Sequence, residues 1–333
     1  MHDHPEQTSP APQAANPRRS LGQLVGRIRR WEASGITLAL LLLLGALAWA
    51  APGFLSPYNL SVVARQASFV GLVALGQTLV LLAGGIDLSV GTNAAFSAII
   101  GSLLLTRAGV HPYLVVPLTA LFGMGLGLVN GAFVARLKLN PFIVTLASGE
   151  IFAGLTLVIT KGYPIRPLGE TFRVFGQGEL LSIPVPVLIF LAADVVLWWV
   201  LSRSRFGRNI YAMGGNRDAA ALVGIRVARV ELAVFGLAGL FAALAGILYA
   251  SRMDAAQPSV GQGWLMGAIT AAIIGGTSLR GGEGSIVGTT LGALLMAVLA
   301  NGIVLLDVSG YWERVIIGGV VLVAVLVDLF RRR

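Results

Sequence analysis

The sequence predicts an all-α polytopic membrane protein with about ten transmembrane helices and both termini on the cytoplasmic side. Three observations carry that expectation. Of 333 residues, 56% are hydrophobic and only 12% are charged. Soluble domains average about 25% charged residues, and a soluble core cannot bury this much apolar surface. Apolar runs of membrane-crossing length follow one another along the chain, and a helix satisfies its own backbone in lipid. The basic residues are divided unevenly between alternate links, as they are when they set topology.

Residues 1–33 read as a basic, Pro- and Ala-rich cytoplasmic tail, expected to be disordered, with His2 and His4 belonging to it rather than to a metal tract. Arg18-Arg19 resembles a twin-arginine signal and Ala48-Trp49-Ala50 a signal-peptidase site. The many apolar runs that follow favour an uncleaved first helix. Crossings are expected near 34–51, 66–83, 91–106, 114–134, 141–160, 185–202, 231–250, 264–277, 285–306 and 313–330. They form one membrane domain, 34–330, closed by the basic tail 331–333. With the N-terminus inside, 17 of the 24 Lys and Arg fall inside: Arg18, Arg19, Arg27, Arg29, Arg30, Arg136, Lys138, Arg203, Arg205, Arg208, Arg217, Arg226, Arg229, Arg280 and Arg331–Arg333. The seven outside are Arg65, Arg107, Lys161, Arg166, Arg173, Arg252 and Arg314. The net charge of +9 is therefore read as a topology signal and not as a nucleic-acid surface. With no cysteine, disulfides and thiolate metal sites are excluded.

The stretch GGIDLSVG, residues 84–91, interrupts this apolar chain. Gly84 and Gly85 are expected to end the second helix, because glycine tolerates left-handed backbone. The next helix is expected to start near Ser89 and to carry Gly91 in its first turn. Asp87 then stands where a carboxylate can accept the free N–H groups of a helix start. The alternative is that a broken backbone near the inner face forms a gate or lines a path, since irregular backbone at membrane depth needs protein or water around it. A second segment, GGTSLRGGEGSIVGT at 275–289, has the same form. Val-Gly-Thr occurs at 90–92 and again at 287–289, each time after Gly-Gly. An internal repeat and chance both account for that match.

Two links are long: 161–184 on the outside and 202–231, rich in arginine, on the inside. Within the inner one, Asn216 is a good N-cap, Asp218 lies in the first turn, and Gly224 can close a helix at C′. A helix of two turns is too short to persist alone. It must lie on lipid, held by Arg208, Arg217, Arg226 and Arg229, or dock into a groove on a partner protein.

GQTLVLLAGGIDLSVG, FGRNIYAMGGNRDAAALVGIRV and GGTSLRGGEGSIVGTTLGALLMAVLANGIVLL, in that order, resemble the permease subunits of ribose-type ATP-binding-cassette importers. The resemblance runs from about residue 60 to residue 330. It implies uptake of a monosaccharide such as ribose, xylose, arabinose or galactose, or of the related furanosyl signal autoinducer-2, across a bacterial inner membrane. It also implies a homodimer of permeases, two cytosolic ATPase subunits that bind ATP and Mg, and a periplasmic binding protein that delivers substrate. In that family the short inner helix couples to the ATPase, which assigns coupling to Gly214, Gly215, Asn216, Arg217, Asp218, Leu222 and Gly224. Where the family often carries Arg-Gly in the fifth helix, this chain has Ala153-Gly154, with Glu150 one turn earlier.

The chain cannot hydrolyse ATP through a P-loop. Its two lysines, Lys138 before Leu139 and Lys161 before Gly162, lack the following Ser or Thr. It has neither HExxH nor Gly-x-Ser-x-Gly, and no histidine inside an expected span, so an enzyme is not expected and no cofactor is expected in this chain. A proton- or sodium-coupled transporter remains a rival, and would need carboxylates at mid-membrane. Glu150 and Asp194 are the candidates. Asp194 is read as structural. Glu150 is open between a bond to a sugar hydroxyl, a proton and a partner on another helix. Gln77, Thr78, Asn93, Asn130, Glu150 and Asn301 either line a polar path or bond helix to helix.

Overall fold

The computed structural model describes residues 34–309, 312, 315–320, 322–323 and 326. The expected tails, 1–33 and 331–333, lie outside the described residues, as does part of the last expected crossing, of which 315–320 are helical. The chain is an all-α membrane fold. Its helices are α1 (Ser34–Ala50), α2 (Pro57–Leu82), α3 (Val90–Thr106), α4 (Pro112–Leu137), α5 (Pro141–Thr160), α6 (Glu170–Gln177), α7 (Val185–Arg203), α8 (Arg205–Gly215), α9 (Arg217–Leu222), α10 (Val227–Met253), α11 (Trp264–Ile274) and α12 (Ile286–Leu305). A two-stranded hairpin, β1 (Glu179–Leu180) and β2 (Ile183–Pro184), lies between α6 and α7.

Proline starts the long helices where its missing N–H costs nothing. It is the first residue of α2, α4 and α5. Side-chain caps add to this: Ser56 accepts the Asn59 N–H and Asn140 accepts the Phe142 N–H.

Six helices, α2, α4, α5, α7, α10 and α12, are long and apolar enough to cross a membrane. Two of them form the centre: the most apolar stretches of α2 and α10 are 89% and 67% buried, against 22% for α5 and α7. The peripheral helices therefore turn Leu, Ile, Val and Trp outward, as Leu146, Ile151, Val195 and Trp199 do. Helices α4 and α10 pack backbone to backbone: a Cβ on Gly127 would lie 2.1 Å from the Phe235 carbonyl oxygen, the close approach that small residues allow between membrane helices.

Three expectations need correction. The second helix begins at Pro57, not near 66, because Arg65 need not end it. Its guanidinium pairs with Glu179 of the hairpin at 2.6 Å. Helix α10 begins at Val227 rather than 231, because Glu231, only 4% exposed, pairs with Arg217. The expected crossing at 264–277 is a helix of only 11 residues. At 1.5 Å per residue it rises about 16 Å, half of a hydrocarbon core of about 30 Å. The two long links carry secondary structure, and the short helix expected in the inner one is present. The inner one contains α8 and α9. The outer one folds into α6 and the hairpin, and Asp254 locks it to the end of α10. The Asp254 carboxylate accepts from Arg173 at 2.8 Å and from the Leu168 and Gly169 N–H groups. The Arg173 bond holds that carboxyl below its usual range.

Candidate functional site

Three segments singled out in the sequence meet at one end of the bundle. Helix α2 ends in a Schellman turn. Gly84, at φ +82°, donates to the Leu81 carbonyl (2.8 Å) and Gly85 to that of Val80 (2.9 Å). The Leu82 carbonyl then accepts a 2.9 Å bond from the Gly282 N–H, in the 275–285 turn. Helix α8 closes the junction. Ser204 caps it by accepting the Gly207 N–H at 3.0 Å, Ile210 and Met213 bury its apolar face, and Tyr211 donates to the Gly284 carbonyl at 2.9 Å. At its end, a Cβ on Gly214 would fall 1.8 Å from the Leu82 oxygen and 2.5 Å from the Gly282 nitrogen. No larger residue fits there. Gly215 differs: its φ is ordinary and nothing lies within 4 Å of its would-be Cβ.

Helix α9 stands out from this junction. Asn216 accepts the Ala219 N–H at 2.9 Å, as its N-cap position requires. Gly224, at φ +87°, ends the helix in a second Schellman turn, donating to Ala221 while Ile225 donates to Ala220. Ala220 is buried, and Arg217 makes two 2.7 Å bonds to Glu231 of α10. Those bonds favour the charged guanidinium and raise its pKa. The helix is thus fixed to its own chain by one face. Its other face is apolar and open: Leu222 is 88% exposed and Val223 78%. The pair Arg217–Glu231 was not anticipated, and its signal was an acidic residue inside an apolar run, 14 positions from an arginine.

The 83–89 link is buried at Asp87 and Ser89, with Gly84 exposed and the remaining residues half-buried. Asp87, 1% exposed, does not cap α3 as expected. It stands too early to reach the N–H groups of the first turn, and its carboxylate accepts the Ser89 N–H (2.8 Å) and hydroxyl (2.6 Å) instead. Burial pushes its carboxyl up to about 6. The Ser89 hydroxyl accepts from Asn130 of α4 at 2.9 Å, and the Leu88 N–H donates to Thr145 of α5 at 3.0 Å. Gly91 packs against the backbone of Gly261. The 275–285 turn repeats the geometry of the α2 end: Gly276, at φ +93°, donates to Ile273 and Thr277 to Ala272.

The polar residues inside the bundle mostly join helices. Thr78 and Thr289 share a 2.7 Å bond between α2 and α12. Asn93 of α3 donates to the Gly123 carbonyl of α4. Asn301 and Asn59 exchange bonds of 2.8 and 3.0 Å. Thr290 donates to Asp194. Gln77 is fully buried with both amide atoms unpartnered. Glu150, halfway along α5, lies on the exposed face of the chain. The arrangement holds no catalytic constellation among the described residues, and no cluster of metal-binding side chains there.

Comparison with known proteins matches this architecture to a family. Residues 59–325 match the family described as branched-chain amino acid transport system / permease component. The chain is 45% identical over 280 residues to the ribose import permease of Bacillus subtilis, covering 83% of this chain and 86% of that one. It is 39% identical over 297 residues to the ribose import permease of Escherichia coli, covering 87% and 92%. It is 37% identical over 330 residues to the L-arabinose ABC transporter permease of Azospirillum brasilense, covering 98% and 96%. No solved structure matches the chain significantly. A multi-pass helical fold, a match over most of its length and these identities together place the chain in that family of transport permeases, which are not enzymes.

Proposed function

We propose that this chain is the membrane-spanning permease subunit of an ATP-driven importer of monosaccharides in a bacterial inner membrane. The observation that carries the reading is the junction of α2, α8 and the 275–285 turn, which fixes α9 with Leu222 and Val223 turned outward. An apolar knob on a backbone-locked arm is suited to a groove on another protein. The chain has no P-loop lysine of its own, so ATP and Mg are bound by a separate cytosolic ATPase subunit that α9 meets. Ten helices with both termini inside put α9, and all 17 of the inner basic residues, on the ATP side. Two copies of the permease work together, and a periplasmic binding protein delivers the solute. The substrate class follows the relatives, whose names specify ribose, L-arabinose, D-allose and fructose.

The test is hydrolysis by the assembled complex in nanodiscs, challenged with binding proteins loaded with each of these sugars. Stimulation by at least one loaded protein, lost when the permease is omitted, is the expected result. Indifference to every loaded protein would remove the importer reading.

A further inference from the structure

Residues 254–263 join α10 to α11, and their path is unusual for a membrane helix connection. The link starts at the end of α10, where Ala256 and Ile165 exchange two 3.0 Å backbone bonds. It then turns back between the helices. Two contacts fix its depth. Trp264, the first residue of α11, stacks on Phe69, halfway along α2, with centroids 6.4 Å apart and planes 7° from parallel. Gly261 lies backbone to backbone on Gly91, a Cβ on either falling within 2.4 Å of the other's carbonyl oxygen. The shortness of α11 is the other side of the same fact: the chain spends half a crossing in irregular backbone. At that level irregular backbone is tolerated only inside protein or beside water.

A cavity of about 340 Å³ opens beside this link. Its polar lining comes from Gln66, Gln257, Ser259 and Gln262, and Tyr249 and Trp264 add aromatic surface between apolar stretches of α2 and α12. Phe69 holds both rings in place, with Tyr249 edge-on to Phe69 and to Trp264 at 5.3 Å each. Among the described residues, no group is hydrogen-bonded to the side-chain amides of the three glutamines. Each amide offers two donor hydrogens and an acceptor oxygen. Among the described residues, no charged side chain lines the cavity. A zwitterionic amino acid would find no counter-ion, whereas a neutral polyol ring would find amides for its hydroxyls and aromatic faces for its C–H surface. The volume sits at the small end of ligand pockets, about 300–1,000 Å³, which suits a single ring.

We infer that this cavity binds one monosaccharide ring during transport, with Gln66, Gln257 and Gln262 pairing its hydroxyls and Tyr249 and Trp264 packing its apolar face. The inference rests on the sugar-import reading and adds a site to it.

The chain has no cysteine, so Gln262→Cys gives a single reactive group at the mouth of the cavity, and Leu181→Cys at the exposed hairpin turn gives the control. Both are reacted with a bulky water-soluble maleimide in nanodiscs, alone and with saturating D-ribose, L-arabinose or L-leucine. In parallel, the complete importer in proteoliposomes is assayed for uptake, comparing wild type with the Gln257→Ala/Gln262→Ala double variant. The site predicts that a sugar slows labelling of Gln262→Cys several-fold while leucine does not, and that Leu181→Cys reacts equally in all cases. It also predicts that the double variant loses roughly tenfold in uptake at limiting sugar, the worth of one to two hydrogen bonds, with its ATPase still bound. If wild type imports sugar, and the double variant and the maleimide-modified Gln262→Cys import it equally well without protection, the cavity assignment falls and the import reading stands. If wild type imports no monosaccharide, the import reading fails and the cavity assignment falls with it.

Discussion

Replacing Gly214 by alanine tests whether the inner junction is built on backbone contact. The added methyl would lie 1.8 Å from the Leu82 oxygen and 2.5 Å from the Gly282 nitrogen, both backbone atoms that no rotamer change can move. Restoring ordinary contact requires the end of α8 to retreat by more than 1 Å. Overpacking of this kind costs about 1–3 kcal/mol, and losing the Gly282 N–H to Leu82 bond adds about 0.5–1.5 kcal/mol. The damage is local, because α2 and α10 remain packed elsewhere, so the protein should insert but carry α9 in the wrong place. Its neighbour supplies the control. Gly215 has open space and an ordinary φ, so Gly215→Ala should be neutral or stabilise the end of α8 slightly. The assay is thermal unfolding in detergent together with retention of the ATPase subunit on affinity-captured permease. Gly214→Ala should unfold at a lower temperature and lose the ATPase, while Gly215→Ala does neither. Equal behaviour of the two variants would refute the junction as a structural constraint.

Leu222→Asp with Val223→Asp should leave the unfolding temperature unchanged, since both side chains are exposed, yet release the ATPase in the same capture assay. Arg217→Ala strands the buried Glu231 carboxylate and should destabilise by roughly 1–3 kcal/mol, less than a fully buried pair because the arginine is half exposed; adding Glu231→Gln should recover most of that loss in unfolding experiments. Asp87 has its folded pKa raised to about 6 from 3.8, so the folded state binds more protons across that window and stability falls as pH rises through it, by up to about 3 kcal/mol. Asp87→Asn, which can still accept from Ser89, should therefore be the more stable protein at pH 7.5 and match wild type near pH 4; parallel pH profiles would contradict this. Single cysteines in this cysteine-free chain should label from outside the cell at Gly169 and only from the inside at Ala219.

The helical membrane fold was legible because hydropathy and breaker residues report directly on it, and Gly84, Gly276, Gly281 and Gly282 of GGIDLSVG and GGTSLRGG fell where left-handed turns are needed. Asn216 and Gly224 were legible for the same reason: capping is a local interaction. What the sequence concealed was long-range. Arg65 and Glu231 looked like helix boundaries, yet each is carried inside a helix by a partner, 114 residues away for Arg65 and 14 for Glu231. Asp87 had the right type for a cap but stands two residues ahead of the N-cap position, which Ser89 holds, and its position became clear only with Ser89 and Asn130 in place. The short α11 was hidden because the run from Trp264 to Ile274 is apolar nearly throughout, and hydropathy alone does not show whether such a run crosses the whole bilayer. That Gly84, Gly214 and Gly282 meet is a tertiary fact with no local signature.

The central claim is that this permease moves a sugar with energy taken from ATP by a partner docked at α9. Uptake of radiolabelled sugar into proteoliposomes holding the permease, the ATPase subunit and the loaded binding protein tests it most directly. Accumulation should require ATP on the side bearing α9, persist when proton and sodium gradients are collapsed, and vanish in the Leu222→Asp/Val223→Asp variant. Uptake that needs an ion gradient and proceeds without ATP would contradict the account and return Glu150 to consideration as a proton carrier.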